Sequence, residues 1–358
     1  MKFNKSILSN LNSKRTIQYL ALLLILFLSL NLNLSCEKGT EPEQLKPGRR
    51  DYVWEVDSVN VPFFYMTDIS GTSPNDVWAV GPGGDLGKTI WHYDGDSWST
   101  DGISRGISPW AVFAIDDIVW IAGSDGIIWK HENGIWAFSA QLKLEGYQSI
   151  GFDNVWGSSK TDIYAVGTAV AENDHVFKQS IIAHYDGKGW KLIDTGDEKC
   201  SFTSVKKDPI SKQYFVSGKR NEPYLPDTSK LFILKDEKLE KVEWVKENVD
   251  DRISISITEN ELLFGMGDKI KYLSNGKFVE LLDVNMPNYN GGFDGRNKND
   301  IFLGLKDGIM HYNGNNLEYI YNAPNGVMLA LGRRAIFEKE YFQIEFYHGY
   351  IIHGKLKK

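Results

Sequence analysis

After residue 50, apolar and polar residues alternate in short runs set between turns rich in glycine, asparagine and aspartate. A two-residue period of this kind predicts β-strands with one buried face. The clearest stretch is Thr72–Trp98, TSPNDVWAVGPGGDLGKTIWHYDGDSW. It reads as an Asn-Asp turn, an apolar strand ending near Gly81, a glycine-rich loop, a second strand, an Asp-Gly turn and Trp98. Asp-Gly and Asn-Gly accept the positive φ that tight hairpin turns require.

Versions of this unit recur down the chain. Aligned on Asp76, the equivalent positions are Ile118, Asp162, Gln213, Glu261, Asp300 and Glu340, in steps of 39–51 residues. Each opens an apolar run, such as VWAVG, VWIAG or IYAVG, and an outer strand follows with Trp98, Trp136, Trp190, Trp244, Phe278 or Tyr319. A unit of this length with four short strands cannot bury both its faces alone, but it can when stacked around an axis. Seven units predict an all-β fold, a seven-bladed β-propeller of four-stranded blades. The last unit contains only three strands, expected at about 327–331, 341–347 and 350–356, while a spare strand, Tyr52–Val56, precedes the first. The N-terminal strand is therefore predicted to complete the last blade, which removes an exposed sheet edge.

The NDVWAVG…G-x-I-x-H-Y-D-G-x-x-W repeat resembles that of a bacterial β-propeller group found in exported proteins and lipoproteins, with loose kelch-like or galactose-oxidase-like labels. The resemblance spans residues 70–320, is closest in blades 1 and 3, and implies a fold rather than an activity.

The N-terminus has a different character. Lys2, Lys5, Lys14 and Arg15 precede an apolar run, Tyr19–Leu30, that is short for a membrane span of about 20 residues. Asn33-Leu34-Ser35-Cys36 follows and resembles the lipobox of bacterial lipoproteins, with Asn33 where leucine is usual. The resemblance implies cleavage before Cys36, lipid on that cysteine, and an exported, lipid-anchored protein of the cell envelope, with the outer membrane as the expected address. Residues 1–35 are then a signal peptide. Residues 36–50, polar and carrying two prolines, are a flexible tether, and 51–358 form one propeller domain. The net charge of −7 with scattered basic residues argues against nucleic acid as a partner. Of two cysteines, Cys200 is left without an intrachain partner, which excludes a disulfide framework.

No converging chemistry emerges. Pro82–Thr89 has the wrong glycine spacing for a phosphate loop and precedes a strand, not a helix. His92, His131, His184 and His311 share one register in four blades. They lie around a ring, do not converge to the ~2 Å distances of zinc ligands, and are expected to bond locally between blades. Asp76, Asp162 and Asp300 read as turn residues. No cofactor or metal is expected. Most tryptophans occupy repeat positions and read as packing between blades.

Two insertions break the repeat, Thr168–Ser180 and Gly218–Ser229, on the loop face of blades 3 and 4. With the inter-blade connections they yield a candidate recognition patch of His175, Arg220, Tyr224, Asp227, Arg105 and Tyr289, since long loops on rigid scaffolds carry binding. The expected function is a non-enzymatic binding or scaffolding propeller for a protein or glycan. The alternative is a carbohydrate-active enzyme, a glycosidase or lyase, with its site at the channel and Asp153 and Asp294 as candidate carboxylates.

Overall fold

The computed structural model describes residues 45–59, 65–83, 86–171, 174–220, 228–246, 253–324 and 328–358. Cys36 lies outside them. From Pro47 onward the chain forms seven four-stranded antiparallel sheets. The inner strands are Asp68–Ser73, Pro109–Ile115, Tyr147–Ser159, Ser201–Lys207, Ile253–Ile257, Tyr289–Asn297 and Leu331–Ile336, in blades 1 to 7. Six blades follow sequence order from inner to outer strand. The seventh takes its outer strand, Tyr52–Ser58, from the N-terminus, paired with Tyr350–Leu356. Ring closure is thus the one the spare strand predicted.

Second strands are the most deeply buried, as in Val77–Val80 and Ile118–Gly123, because each is covered by a neighbouring blade on both faces. The residue two positions after the repeat acid fills the gap between blades. Trp78 stacks on His92 of its own blade (4.1 Å between ring centroids) and meets Trp136 of the next edge to face (5.6 Å). Trp120 meets Trp190 of blade 3 in the same way (5.4 Å). At the closure, Trp54 packs on Tyr321 of blade 6 and on Tyr341, and fills the space a Cβ on Gly354 would occupy.

Four expectations are corrected. The inner strand of blade 7 is Leu331–Ile336, not 327–331, because its channel-facing sequence Gly332-Arg333-Arg334 is too polar to read as a strand, while the apolar run before it does. The insertion at 168–180 is chiefly strand: Gly167–Ala171 pairs with Asp174–Ile181, so the hairpin of blade 3 is lengthened rather than looped out. The tether also ends earlier than residue 50. The Gly48 amide donates to the Asn299 carbonyl, and Arg50 donates to the carbonyls of His311 and Asn316 of blade 6.

The repeat histidines bond within a blade, not between blades. Second and third strands are adjacent, with Trp78 opposite His92, so the acid two residues earlier reaches the imidazole. His92–Asp76 and His184–Asp162 are 2.9 Å apart, and His311–Asp300 is 2.7 Å. Blade 7 repeats the arrangement with His353 and Glu340 at 2.8 Å. Blade 2 has Ile118 at the acid position, and its His131 packs instead between Trp78 and Trp136.

Candidate functional site

The inner strands surround an axial cavity of about 1370 Å³. Its wall carries six basic side chains against four carboxylates, although the chain as a whole carries a net charge of −7. Much of the polar wall stitches the ring. Asp68 accepts from the amides of Ile69 and, in the next blade, Val112, both at 3.0 Å. Asn154 Oδ1 accepts from Val205 at 3.2 Å, Ser254 donates to the Gly291 carbonyl at 3.1 Å, and Asn290 to the Leu331 carbonyl at 3.4 Å. Apart from the Ile69 bond, each of these joins one blade to the next, so these groups are already committed.

A second set is less fully paired. Arg333 leaves blade 7 and crosses the axis. It donates to the carbonyls of Thr203 at 2.9 Å and Asp153 at 3.4 Å, on blades 4 and 3, and its Nε stands 3.6 Å from Asp68. Arg334, the next residue, turns into the seam with blade 6, where its side chain is only 2% exposed. Gly292 and Gly304 make room for it: a Cβ at either would lie 3.0 or 3.3 Å from its guanidinium nitrogen. Its contacts are long, 3.4 Å to Asp294 Oδ2 and 3.5 Å to the Gly332 carbonyl, and its buried Nε has no acceptor. These distances lie beyond the 2.7–2.9 Å usual for charge-assisted bonds.

Lys206 of blade 4 faces this group and lies 5.3 Å from the Trp156 ring. Burial first, and the Arg333 charge second, push its ammonium down to about 7, against the pull of Asp68 and Asp294. Burial raises the carboxyls of Asp68 and Asp294, opposed chiefly by Arg333 and Arg334 respectively. Asp294 is enclosed by the wall, yet its side chain keeps 37% of its surface in contact with cavity solvent, so the rise is tempered by water. A cationic wall with one guanidinium short of acceptors can hold an anionic group. No histidine lines the cavity among the described residues.

Of the residues predicted from sequence, Asp294 lines the cavity, while Asp153 lies outside its lining and offers its carbonyl to Arg333. The Arg105 side chain is 5% exposed, bonded to Asp101 and to the Ile103 carbonyl, with its guanidinium 4.9 Å over Trp136. Tyr289 opens the inner strand of blade 6. Its hydroxyl is buried without a partner near Arg334, and burial raises its pKa. The side chains of His175 and Arg220, and Tyr224 and Asp227 altogether, lie outside the described residues. Lys206, Arg333 and Arg334 were not singled out from sequence. The available signal was their position: basic residues on inner strands, which face the axis.

No family model and no curated protein sequence matches the chain. Solved structures do. YCF48 bound to a D1 peptide is 14% identical, with a TM-score of 0.61, over 89% of this chain and 100% of that one. A streptogramin B lyase is 14% identical, with a TM-score of 0.63, over 86% and 98%. The WD40 β-propeller domain of Doa1 is 10% identical, with a TM-score of 0.56, over 85% and 96%. At these identities the likeness establishes the fold, a seven-bladed β-propeller, and nothing finer.

Proposed function

We propose that this chain is a non-enzymatic binding propeller of the bacterial cell envelope, lipid-tethered through Cys36, that receives a carboxylate-bearing segment of a partner protein in its axial cavity. The observation that carries the reading is Arg334: a buried guanidinium on the cavity wall with long contacts and one N–H without an acceptor. Burying an under-bonded cation costs free energy that an incoming carboxylate recovers. The cavity, at about 1370 Å³, exceeds the ~300–1,000 Å³ of most small-molecule sites, which suits the end of a chain. Propellers of the same fold occur in complexes with a peptide and with a protein, as in YCF48 with its D1 peptide and BBS1N with ARL6DN.

Calorimetric titration with an acidic peptide bearing free carboxylates, and with the same peptide fully amidated, tests the reading. Binding of the first alone supports it. Equal binding of both, or binding of neither while an acidic oligosaccharide binds, overturns it. The tether is tested separately by radiolabelled palmitate incorporation, which Cys36→Ala is expected to abolish.

A further inference from the structure

We propose that Glu55, Asp57 and His353 form a binding site for a divalent transition-metal ion of the zinc type, placed across the seam that closes the ring. Glu55 and His353 are direct cross-strand partners, one on the N-terminal strand and one on the last strand of the chain. Asp57 follows Glu55 by two residues and therefore lies on the same face of its strand. One ligand atom from each of the three residues falls within 4.8 Å of the others.

The state of His353 points to an ion rather than to a simple acidic surface. Its side chain is 1% exposed, and its Nε2 is taken by Glu340 at 2.8 Å. A carboxylate at that nitrogen holds the proton there and leaves the Nδ1 lone pair free, the arrangement by which a ligating imidazole is oriented from behind. Nδ1 is buried, has no hydrogen-bond partner, and stands 3.6 Å from Asp57 Oδ2. That is too long for a hydrogen bond. It is close to the ~3.4 Å separating two ligands around a tetrahedral ion with bonds of about 2.0–2.2 Å. Glu55 is exposed and can close the remaining gap. One imidazole with two carboxylates suits zinc and its neighbours, and is unlike the all-oxygen cages of calcium.

Among the described residues, no other repeat histidine is grouped with two further carboxylates in this way. His92, His184 and His311 have the same acid on Nε2, but Nδ1 of His311 meets Arg50 rather than a carboxylate, and Nδ1 of His184 is buried without a partner. Blade 7 differs because its outer strand comes from the other end of the chain and brings the sequence Glu55-Val56-Asp57. Lys355 Nζ, 3.5 Å from Glu55, competes for that carboxylate, and Trp98 Nε1 donates to Asp57 at 2.9 Å and holds it in place. A bound ion fastens the first strand to the last.

Calorimetric and thermal-melting titration of the chelator-treated protein with zinc chloride tests the site. The expected result is one ion per chain with a rise in melting temperature. Glu340→Gln should weaken binding roughly 10-fold, and Glu55→Gln and Asp57→Asn at least as much. Lys355→Ala should tighten it. Glu55→Gln is on the surface, and Asp57→Asn keeps an acceptor for Trp98, so both are expected to melt normally without zinc. Absence of saturable binding, or binding unchanged in Glu55→Gln and Asp57→Asn, overturns the proposal.

Discussion

Asp300 Oδ1 lies 2.7 Å from His311 Nε2, and both side chains are buried. Arg50 donates to Nδ1 of the same ring at 3.3 Å, which fixes the proton on Nε2, and Arg296 holds the second oxygen of Asp300 at 2.8 Å. In blade 1 the same pair, Asp76 and His92, is about one-third exposed on each side. One motif therefore occurs in two dielectric settings.

Burial should decide what the pair contributes. Asp300→Ala leaves His311 Nε2 buried without its acceptor and removes the Arg296 counter-charge, and is expected to cost about 3 kcal/mol. Asp76→Ala, where water replaces the lost acceptor, should cost about 1 kcal/mol. Urea denaturation of the two variants against the parent checks the order. Equal losses would mean that the motif acts through local turn geometry instead.

The Asp76–His92 pair also has an acid limit. The hydrogen bond from His92, with those from Thr72 and Trp78, holds the Asp76 carboxyl down to about 2. A depressed carboxyl stabilises the fold above its unfolded pKa of about 3.9 and loses that contribution as pH falls towards 2. Asp76→Asn should flatten stability against pH in that window and lower stability at neutral pH, where the charged carboxylate contributes in full. Denaturation curves at successive pH values measure the difference.

Lys206 gives a slope of the same sign at higher pH, although here burial favours the neutral form rather than a hydrogen bond favouring the charged one. Its ammonium is pushed down to about 7, so the unfolded chain binds a proton there that the folded chain releases between pH 7 and about 10. Folding stability should rise with pH across that interval, and Lys206→Met should remove the slope. Because the side chain keeps contact with cavity water, the slope should fall short of one full proton. A thermal-melting series from pH 7 to 10 on both proteins reads this directly.

Closure of the ring rests on one aromatic contact that can be attacked from either strand. Trp54→Ala removes the ring packed on Tyr52, Tyr321 and Tyr341, at an expected cost of about 3 kcal/mol. Gly354→Ala places a Cβ 2.6 Å from that indole and should destabilise comparably. The double variant should cost less than the sum, because both changes act on one contact. Additive losses would separate the two sites.

The architecture was legible because each blade repeats the same local instruction. Strand periodicity, Asp-Gly or Asn-Gly turns and an aromatic two residues after the acid all agree in blades 1 and 3, and ring closure followed from the missing strand of the last unit. The extended hairpin of blade 3 was misread because the polar run in TAVAENDHVFKQS shows no clear two-residue period, although the backbone on either side of it pairs as strand. The histidines were read as bonding between blades, and the acids as turn residues, because register across a hairpin depends on loop length, which varies among the units. Lys206, Arg333 and Arg334 escaped notice for a different reason. An inner strand faces the axis, so its polar residues look like solvent-exposed ones in a linear reading. Only the ring brings blades 4, 6 and 7 to face each other across one cavity.

Carboxylate binding in the axial cavity depends most heavily on Arg334, and the direct measurement is a calorimetric titration of the acidic peptide into the parent protein, Arg334→Gln and Gly292→Ala. Gly292→Ala keeps the charge but crowds the guanidinium, which must shift by a few tenths of an ångström. The account predicts that both variants bind roughly 10–100-fold more weakly, as loss of a charge-assisted hydrogen bond implies, while remaining folded by circular dichroism. Undiminished affinity in both folded variants would contradict it and move the binding surface away from the axial cavity.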